Sequence, residues 1–436
     1  GGVGQASDYW GNDYYDDTYE HNGRFEKFQG YCTDVWFQGA INFIDKNRDE
    51  PFFCFIPTNA PHGPYRVPPQ YAQPYKKAAT WANGANFYGM IANLDENVGK
   101  LRAWLDRSGL SKNTLLIFMT DNGTANGAAF GRDRLNSLAT KGFNAGMRGK
   151  KSSIYDGGHR VPCFFHWPGG GLAGGRDVPD LAAHIDLLPT LIDLCGLQAP
   201  KSVKFDGISL QPLLRGGARD WPKRTLIVQF QGGAYFKYQP EPWRDSVVMS
   251  SRWRLMDGKR LYDIRADPTQ SRDVAAGHEG IVERMRAAYE AWWPQVRPRL
   301  YEPVRIGLGA DAENPATLCS QDWYLPTGNP PWHPGSISKL PAVTGPWRVD
   351  VARRGVYEIT LRQKPEIAHF PIVAKSARLR IADVDETKPV PAGATGVSFR
   401  VILPAGATAL ETFLTKETGK IGGAYFADVQ FIGEAK

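Results

Sequence analysis

The spacing of hydrophobic positions divides the chain into regions of different character. Between residues 33 and 214, short continuous apolar runs alternate with segments whose apolar residues recur every three or four positions. The predicted strands are 51–56, 114–120 and 161–167, and the predicted helices are 88–105 and 187–194. Gly109 and Gly196 follow the helices, where a left-handed cap is favoured. Strands separated by helices predict an α/β fold with a mostly parallel sheet flanked by helices.

Three further regions follow. Short, closely spaced apolar runs before a helical pattern predict a small antiparallel subdomain over 221–300. Residues 301–346 are rich in Pro and Gly without periodicity, which predicts a linker or wrapping segment. Alternation of apolar and polar residues over 347–436 predicts a β-sandwich accessory domain. The α/β domain is therefore expected to occupy residues 1–220.

Composition narrows the classes of function. The 436 residues include 52 Lys and Arg against 45 Asp and Glu, a net charge of +7 that is spread along the chain. Because nucleic-acid binders concentrate their positive charge, the surplus favours an anionic small substrate over nucleic acid. No apolar run approaches the roughly 18 residues needed to span a bilayer. Five cysteines without a C-x-x-C pair argue against a thiolate zinc site or a dense disulfide framework.

Polar motifs whose side chains could bind ligands or take part in a reaction follow the predicted strands. Asp121-Asn122-Gly123 comes directly after the strand at 114–120. A carboxylate and an amide oxygen are hard ligands suited to Ca²⁺. In open parallel sheets, ligands bind beyond the carboxyl ends of the strands, which favours a site there. A plain turn is the alternative, since Asp, Asn and Gly are common turn residues.

Two more loops carry candidate side chains. His62 lies between Pro61 and Pro64, which stiffen the loop after the first predicted strand. A fixed imidazole there could protonate a leaving group, and a surface-loop histidine is the alternative. The glycine-rich loop 148–162 contains several cations, including Lys151, that could meet a tetrahedral oxyanion. A solvated basic loop is its alternative interpretation.

Taken together, these motifs resemble those of the type I sulfatases, members of the alkaline-phosphatase-like superfamily. The matching segments are Gly30–Asp34, Asn59–Pro64, Gly89–Gly123, Lys151–Pro162, His184–Leu191, Asp206–Leu210 and Leu261–Pro268. They follow the order and spacing of that family over roughly residues 30–295. The resemblance implies an alkaline-phosphatase-like α/β fold and hydrolysis of an organic sulfate monoester.

The resemblance also implies roles for individual side chains. Asp121 and Asn122 would be two ligands of one active-site Ca²⁺. His62 would contact the sulfate or the ester oxygen, and Lys151 would neutralise a sulfate oxygen. Lys151 matches the family lysine, rather than its neighbour, because it lies four residues before an aromatic residue. His159 would face the substrate.

The chain departs from the family pattern in three respects. The family nucleophile is a formylglycine made from Cys or Ser in a C/S-x-P-S-R motif, and none of the five cysteines is followed by x-Pro-x-Arg. The first strand with two Asp ligands and a Gly-Lys-x-His segment are also missing. We therefore expect on the order of a hundred or more residues upstream of this chain. We also expect the 436 residues alone to be inactive and to fold poorly without that segment, since unpaired strand edges would be exposed.

The expected substrate is a sulfated carbohydrate or an aryl sulfate, because aromatic rings stack on sugars and cations meet sulfates. Two alternatives stay open: a phosphodiesterase or phosphonate hydrolase of the same superfamily, and an inactive binder of sulfated glycans. The resemblance implies a periplasmic, secreted or lysosomal location. The terminal sandwich could bind carbohydrate or serve as a structural module, because a fold alone does not determine function.

Overall fold

A computed structural model describes residues 5–133, 135–217, 221–230, 241–300, 302–325 and 328–435. The chain forms two compact units. The described residues of 36–230 and 241–297 make up an α/β unit, and those of 5–35 and 298–435 make up a β-rich unit. None of the helices in these ranges combines the length and apolar character that crossing a bilayer requires.

The α-helices are α1 (Cys32–Lys46), α2 (Pro69–Ala72), α3 (Gly84–Arg107), α4 (Asp156–His159), α5 (Leu187–Cys195), α6 (Gln211–Leu214), α7 (Glu279–Leu300) and α8 (Pro334–Ile337). The first ten strands are β1 (Thr18–His21), β2 (Arg24–Lys27), β3 (Leu116–Met119), β4 (Ala128–Phe130), β5 (Ala139–Gly142), β6 (Cys163–His166), β7 (Leu226–Gln229), β8 (Ser246–Met249), β9 (Trp253–Met256) and β10 (Arg260–Asp263). The others are β11 (Ile306–Leu308), β12 (Ala316–Cys319), β13 (Trp347–Val351), β14 (Gly355–Arg362), β15 (Ser376–Ile381), β16 (Val384–Pro389), β17 (Val397–Leu403), β18 (Gly406–Thr415), β19 (Ile421–Gly422) and β20 (Phe426–Gly433).

The two long helices predicted in the α/β region are present as α3 and α5. Leu101 and Leu105 of α3 are buried against Phe37 and Ile44 of α1 in one hydrophobic cluster. Each helix is followed by a glycine with positive φ, +76° at 109 and +63° at 196. A residue with a Cβ is disfavoured in that left-handed conformation, so these glycines end the helices at low cost.

The strand pairing in this unit differs from the prediction in two ways. The strands predicted at 114–120 and 161–167 are present as β3 and β6, but they pair antiparallel, with Leu116 opposite His166. The predicted strand at 51–56 belongs to no ladder among the described residues. A continuous apolar run indicates a buried strand but carries no information on the identity or direction of its partner, which explains both differences.

The predicted antiparallel subdomain is a four-stranded sheet with the order β10-β9-β8-β7. Val248 and Leu255 on one face pack against Met285 and Tyr289 of α7. The opposite face packs against residues 154 and 155 of the glycine-rich loop. Both faces are therefore covered, and one of them holds the loop that contains the candidate lysine.

The β-rich unit contains the predicted sandwich. One sheet has the order β11-β13-β18-β15-β16, with β19 paired to β18, and the other has the order β12-β20-β14-β17. Buried and exposed residues alternate strictly along β13 and β17, and the buried ones share one core. This period of two is the one that the sequence shows.

Two regions that were predicted to lie outside the sandwich belong to the β-rich unit that contains it. The predicted linker 301–346 instead contributes β11, which pairs parallel to β13, and β12, which pairs with β20. The first residues, predicted to belong to the α/β domain, also lie here: Ala6 donates its backbone N–H to Trp332, and Trp10 packs edge-on against Phe426. Short strands with few apolar residues give too weak a periodicity to be recognised in the sequence.

Candidate active site

The Asp121–Gly123 loop begins where β3 ends, as the sequence predicts. The Asn122 amide nitrogen donates to the Gly123 carbonyl at 3.0 Å, which fixes the side chain and leaves its amide oxygen as an acceptor. Asp121 is exposed and has no ion pair among the described residues. The loop therefore presents a carboxylate and an amide oxygen from adjacent residues, a donor set that suits a hard divalent cation.

The Lys151 loop lies directly against this turn. The backbone N–H of Lys151 donates to the Thr124 carbonyl at 2.9 Å, and that of Gly123 donates to Gly158 at 2.9 Å. A Cβ on Gly123 would lie 2.0 Å from the Gly157 carbonyl oxygen. Glycine is therefore required for the two backbones to approach this closely. The structure thus brings the Asp121–Asn122 turn and the Lys151 loop into direct contact.

Gly123→Ala is expected to separate these two loops, because backbone atoms cannot yield to the new methyl group. We expect a loss of roughly 1–3 kcal/mol in the free energy of unfolding, measured by urea denaturation. Gly99→Ala is the matched control, since a Cβ at that position of α3 meets nothing within 4 Å. Equal stability of the Gly123 and Gly99 variants would contradict the close approach.

A buried ion pair holds the Lys151 loop on the subdomain. Asp156 is 1% exposed, and its carboxylate accepts a hydrogen bond from Nε of Arg254 in β9 at 2.8 Å. The side-chain oxygen of Gln270 accepts the Asp156 N–H at 2.9 Å, and Arg148 donates to the Gln270 carbonyl at 2.8 Å. Sequence reasoning missed this support, since nothing in the sequence pairs positions 156 and 254.

His159 is predicted to face the substrate. In the structure, one nitrogen of its ring contacts the backbone of its own loop. Its Nε2 lies 3.1 Å from the Ile154 carbonyl oxygen. Loss of hydration lowers the pKa of His159, partly opposed by the nearby Asp156 carboxylate. The lowered pKa favours the neutral ring, Nε2 donates to the Ile154 carbonyl oxygen, and a substrate contact through Nδ1 stays a prediction.

Acidification is therefore expected to destabilise the fold through His159. Below about pH 6.5 the unfolded chain binds a proton at this ring that the folded chain does not, so stability falls as the pH drops. The free energy of unfolding of the unaltered protein should decrease between about pH 8 and pH 5.5 more than that of His159→Gln, whose amide can keep the donor. An identical decrease in both proteins would contradict this role.

The His62 loop is linked to the Asp121 turn through hydrophobic packing of the chain segments that precede them. Nδ1 of His62 lies 2.7 Å from the Gly63 carbonyl oxygen, which orients the ring. The Asn59 side chain accepts a hydrogen bond from the Trp36 indole at 3.2 Å. The chain segment before the loop packs in the same hydrophobic cluster as Leu116 of β3. The meeting of His62 with Asp121 and Lys151 at one rim stays a prediction.

A third histidine, which had no predicted role, contacts the residue before the Asp121–Asn122 turn. Nε2 of His184 lies 3.0 Å from the carbonyl oxygen of Thr120, the residue before Asp121. Its short helical turn is held by Asp186, fully buried and bound by both terminal nitrogens of Arg224 at 2.9 and 2.8 Å. The signal was present in the sequence, since His184 opens one of the matching segments.

The described residues supply only part of a metal-binding shell. No group of three or more His, Cys, Asp or Glu side chains lies close enough to hold an ion in the part of the chain that the structure describes. Asp121 and Asn122 fit Ca²⁺ by the chemistry of their oxygens, and six to eight ligands are usual for that ion. These two residues can therefore be part of a calcium site and need further ligands to complete it.

Comparison with known proteins supports the resemblance to the sulfatases. The Sulfatase family model matches residues 2–197, and the model of the C-terminal part of N-sulphoglucosamine sulphohydrolase matches residues 148–290. Both matches support a type I sulfatase. The first match contains His62, Asp121, Asn122 and Lys151, and the second spans Lys151 and Arg254. This family is part of the alkaline-phosphatase-like superfamily, as the motifs of the sequence imply.

Individual relatives agree with this assignment. Mouse steryl-sulfatase is 32% identical over 296 residues, covering 59% of this chain and 44% of the relative. The N-acetylgalactosamine-6-O-sulfatase of Bacteroides thetaiotaomicron is 28% identical over 274 residues, covering 59% and 50%. The crystal structure of Ps i-CgsB in complex with k-i-k-neocarrahexaose has a TM-score of 0.53 at 26% identity, covering 64% of this chain and 58% of that one. The chain spans about half the length of the curated relatives that it matches.

Proposed function

We propose that the natural protein containing this chain hydrolyses sulfate monoesters of carbohydrates. The observation that carries the proposal is the direct contact between the Asp121–Asn122 turn and the Lys151 loop. Two hard oxygen ligands and a lysine thereby come from adjoining loops of a sulfatase-family chain. Positive charge placed before the reaction, where negative charge develops, is the usual source of large rate effects in such chemistry.

Each candidate side chain has a distinct task in this proposal. Lys151 has no ion pair among the described residues, so its ammonium group can bind a sulfate oxygen. His62, oriented through Nδ1 by Gly63, would hold a proton on Nε2 and deliver it to the departing alcohol. Asp121 and Asn122 would hold the Ca²⁺. When bound, the cation offsets charge on the sulfate oxygens and a formylglycine supplies the nucleophile.

The nucleophile of this proposal comes from residues upstream of this chain. None of the five cysteines is followed by x-Pro-x-Arg, so an aldehyde of the family type has no precursor motif here. Phe53, Phe55 and Phe164 of the α/β unit are 77%, 75% and 64% exposed. Large apolar side chains left in water favour a surface that another segment covers. The inactivity and poor folding of the 436 residues alone stay predictions.

A sulfated glycan is the substrate class that we favour. The net charge of +7 suits a polyanion, and the N-acetylgalactosamine-6-O-sulfatase and the neocarrahexaose complex among the similar proteins both involve sugars. By family resemblance, we also propose a periplasmic, secreted or lysosomal location.

The test is an assay of the natural full-length protein on a defined panel. Sulfate release is measured from k-i-k-neocarrahexaose, N-acetylgalactosamine-6-sulfate, 4-nitrophenyl sulfate and a phenyl phosphonate monoester, with and without Ca²⁺. We expect release of sulfate from at least one sulfated sugar, and loss of turnover when the ion is chelated. Preference for the phosphonate would indicate the alternative hydrolase, and glycan binding without turnover would indicate an inactive binder. Either result would contradict the proposal.

A further inference from the structure

The side chain of Phe143 is large, apolar and exposed to solvent, although hydrogen bonds fix its backbone. Phe143 follows β5 and is 73% exposed. Its N–H donates to the Gly127 carbonyl at 3.1 Å and lies 3.3 Å from the Tyr88 hydroxyl. The residue before it, Gly142, has φ of +80°, and a Cβ there would lie 2.6 Å from the Trp81 ring. The exposure of Phe143 is thus a consequence of ordered structure rather than of a loose loop end.

The residue after Phe143 ties it to the lysine loop. Asn144 is 8% exposed, and its amide nitrogen donates to the Met147 carbonyl at 3.1 Å and the Gly149 carbonyl at 2.7 Å. Gly149 lies two residues before Lys151. The position of the Phe143 backbone relative to the anion-binding lysine is therefore set by buried hydrogen bonds.

A second connection reaches the same lysine from the other side. Gly127, which accepts the Phe143 N–H, donates its own N–H to the Thr124 hydroxyl at 2.8 Å. The Thr124 carbonyl in turn accepts the Lys151 N–H at 2.9 Å. The backbones of Phe143 and Lys151 are thus joined by two independent sets of contacts, so the two residues belong to one connected group of loops.

Two lysines lie on the segments connected to Phe143, one on β5 and one on the Lys151 loop. Lys141, on β5, is exposed and has no ion pair among the described residues. Lys150 lies with its ammonium group 5.4 Å from the centre of the Phe130 ring. Asp133, on the same hairpin, accepts the N–H groups of residues 135 and 136, so its carboxylate is partly committed to the loop. An aromatic surface bordered by cations suits a sugar ring that carries anionic groups.

We propose that Phe143 forms a carbohydrate subsite, on which the sugar ring next to the sulfated residue stacks through its C–H face. Lys141 adds positive charge for anionic groups on that ring. The subsite deepens the proposed function and rests on it for the position of the sulfate. It gives the natural protein a preference for oligosaccharides over single sulfated sugars.

The test separates binding from turnover in the natural full-length protein. Affinity for k-i-k-neocarrahexaose is measured by calorimetry for the unaltered protein, Phe143→Ala and Phe143→Trp, and kinetics follow on the same glycan and on N-acetylgalactosamine-6-sulfate. Phe143→Ala should weaken hexasaccharide binding and raise its KM about five- to tenfold. Its kcat and its KM for the monosaccharide should stay within about twofold, and Phe143→Trp should retain affinity because indole also stacks.

Phe25→Ala is the matched control, since that phenylalanine is 65% exposed and belongs to the β-rich unit. Unchanged hexasaccharide affinity in Phe143→Ala would overturn the subsite. Equal losses on the hexasaccharide and the monosaccharide would also overturn it, because they indicate damage to the sulfate site. Failure of the unaltered protein to bind the glycan would count against the subsite, whereas binding without turnover would count against the proposed function alone.

Discussion

Lys151→Ala in the natural full-length protein is expected to lower kcat for a sulfated substrate by about 10²–10³-fold. The ammonium group would neutralise a sulfate oxygen whose charge changes as the ester bond breaks. Removing the ammonium group is therefore expected to lower mainly kcat. The fold should tolerate the change, because the contact that the structure gives Lys151 with the Asp121 turn is made by its backbone N–H. Initial rates and the thermal midpoint, measured on the same preparations, separate these two effects.

Lys150→Ala is a matched control for this experiment. The two lysines are adjacent and carry the same charge, but the Lys150 ammonium group lies over the Phe130 ring. We expect Lys150→Ala to retain turnover within about tenfold, because it alters the cation–π contact rather than the sulfate contact. Turnover near the unaltered rate in Lys151→Ala, or a larger loss in Lys150→Ala, would contradict the assignment of the lysine.

Arg254→Ala is expected to destabilise the α/β unit by about 3 kcal/mol, because it leaves the buried Asp156 carboxylate with only the exposed Arg160 guanidinium, 3.9 Å away. Asp156 is 1% exposed and Arg254 is 5% exposed, so water cannot replace the lost partner without a structural change. The same carboxylate lies at the start of α4, five residues after Lys151. Urea denaturation measures the loss, and hydrogen exchange of residues 148–159 should rise with it.

Arg252→Ala provides the control for this second experiment. Arg252 binds Asp263 at 2.6 Å, but its side chain is half exposed, and solvent weakens such a pair. We expect a much smaller change in stability than for Arg254→Ala, with unchanged exchange at 148–159. Similar losses in both variants would show that the buried pair has no special part in holding the lysine loop.

The sequence predicted local features of the fold well. The helices ending near Gly109 and Gly196, the strands of the antiparallel subdomain and the alternation in the sandwich are all present in the structure. Each of these depends on residues close together in the chain, so periodicity and capping glycines are sufficient. The pairing of β3 with β6 depends on distant residues, and its antiparallel direction could not be read from two apolar runs.

The candidate site shows the same difference between local motifs, which the sequence predicts, and long-range contacts, which it does not. Asp121, Asn122 and Lys151 could be proposed because each lies in a short motif that belongs to a recognisable family. Arg254 and His184 act through contacts with residues 98 and 64 positions away, so spacing gives no sign of their partners. Phe143 was missed for another reason, since only the structure shows that its ring stays exposed on a fixed backbone.

The central claim is that the turn at 121–122 and the loop at 151 bind one divalent ion and one sulfuryl group together. A crystal structure of the natural full-length protein with Ca²⁺ and inorganic sulfate tests it directly. We expect the Asp121 and Asn122 oxygens to lie about 2.3–2.6 Å from the ion. We also expect the Lys151 ammonium nitrogen to lie within about 3 Å of a sulfate oxygen. Calcium and sulfate bound elsewhere, with these three side chains facing solvent, would contradict it.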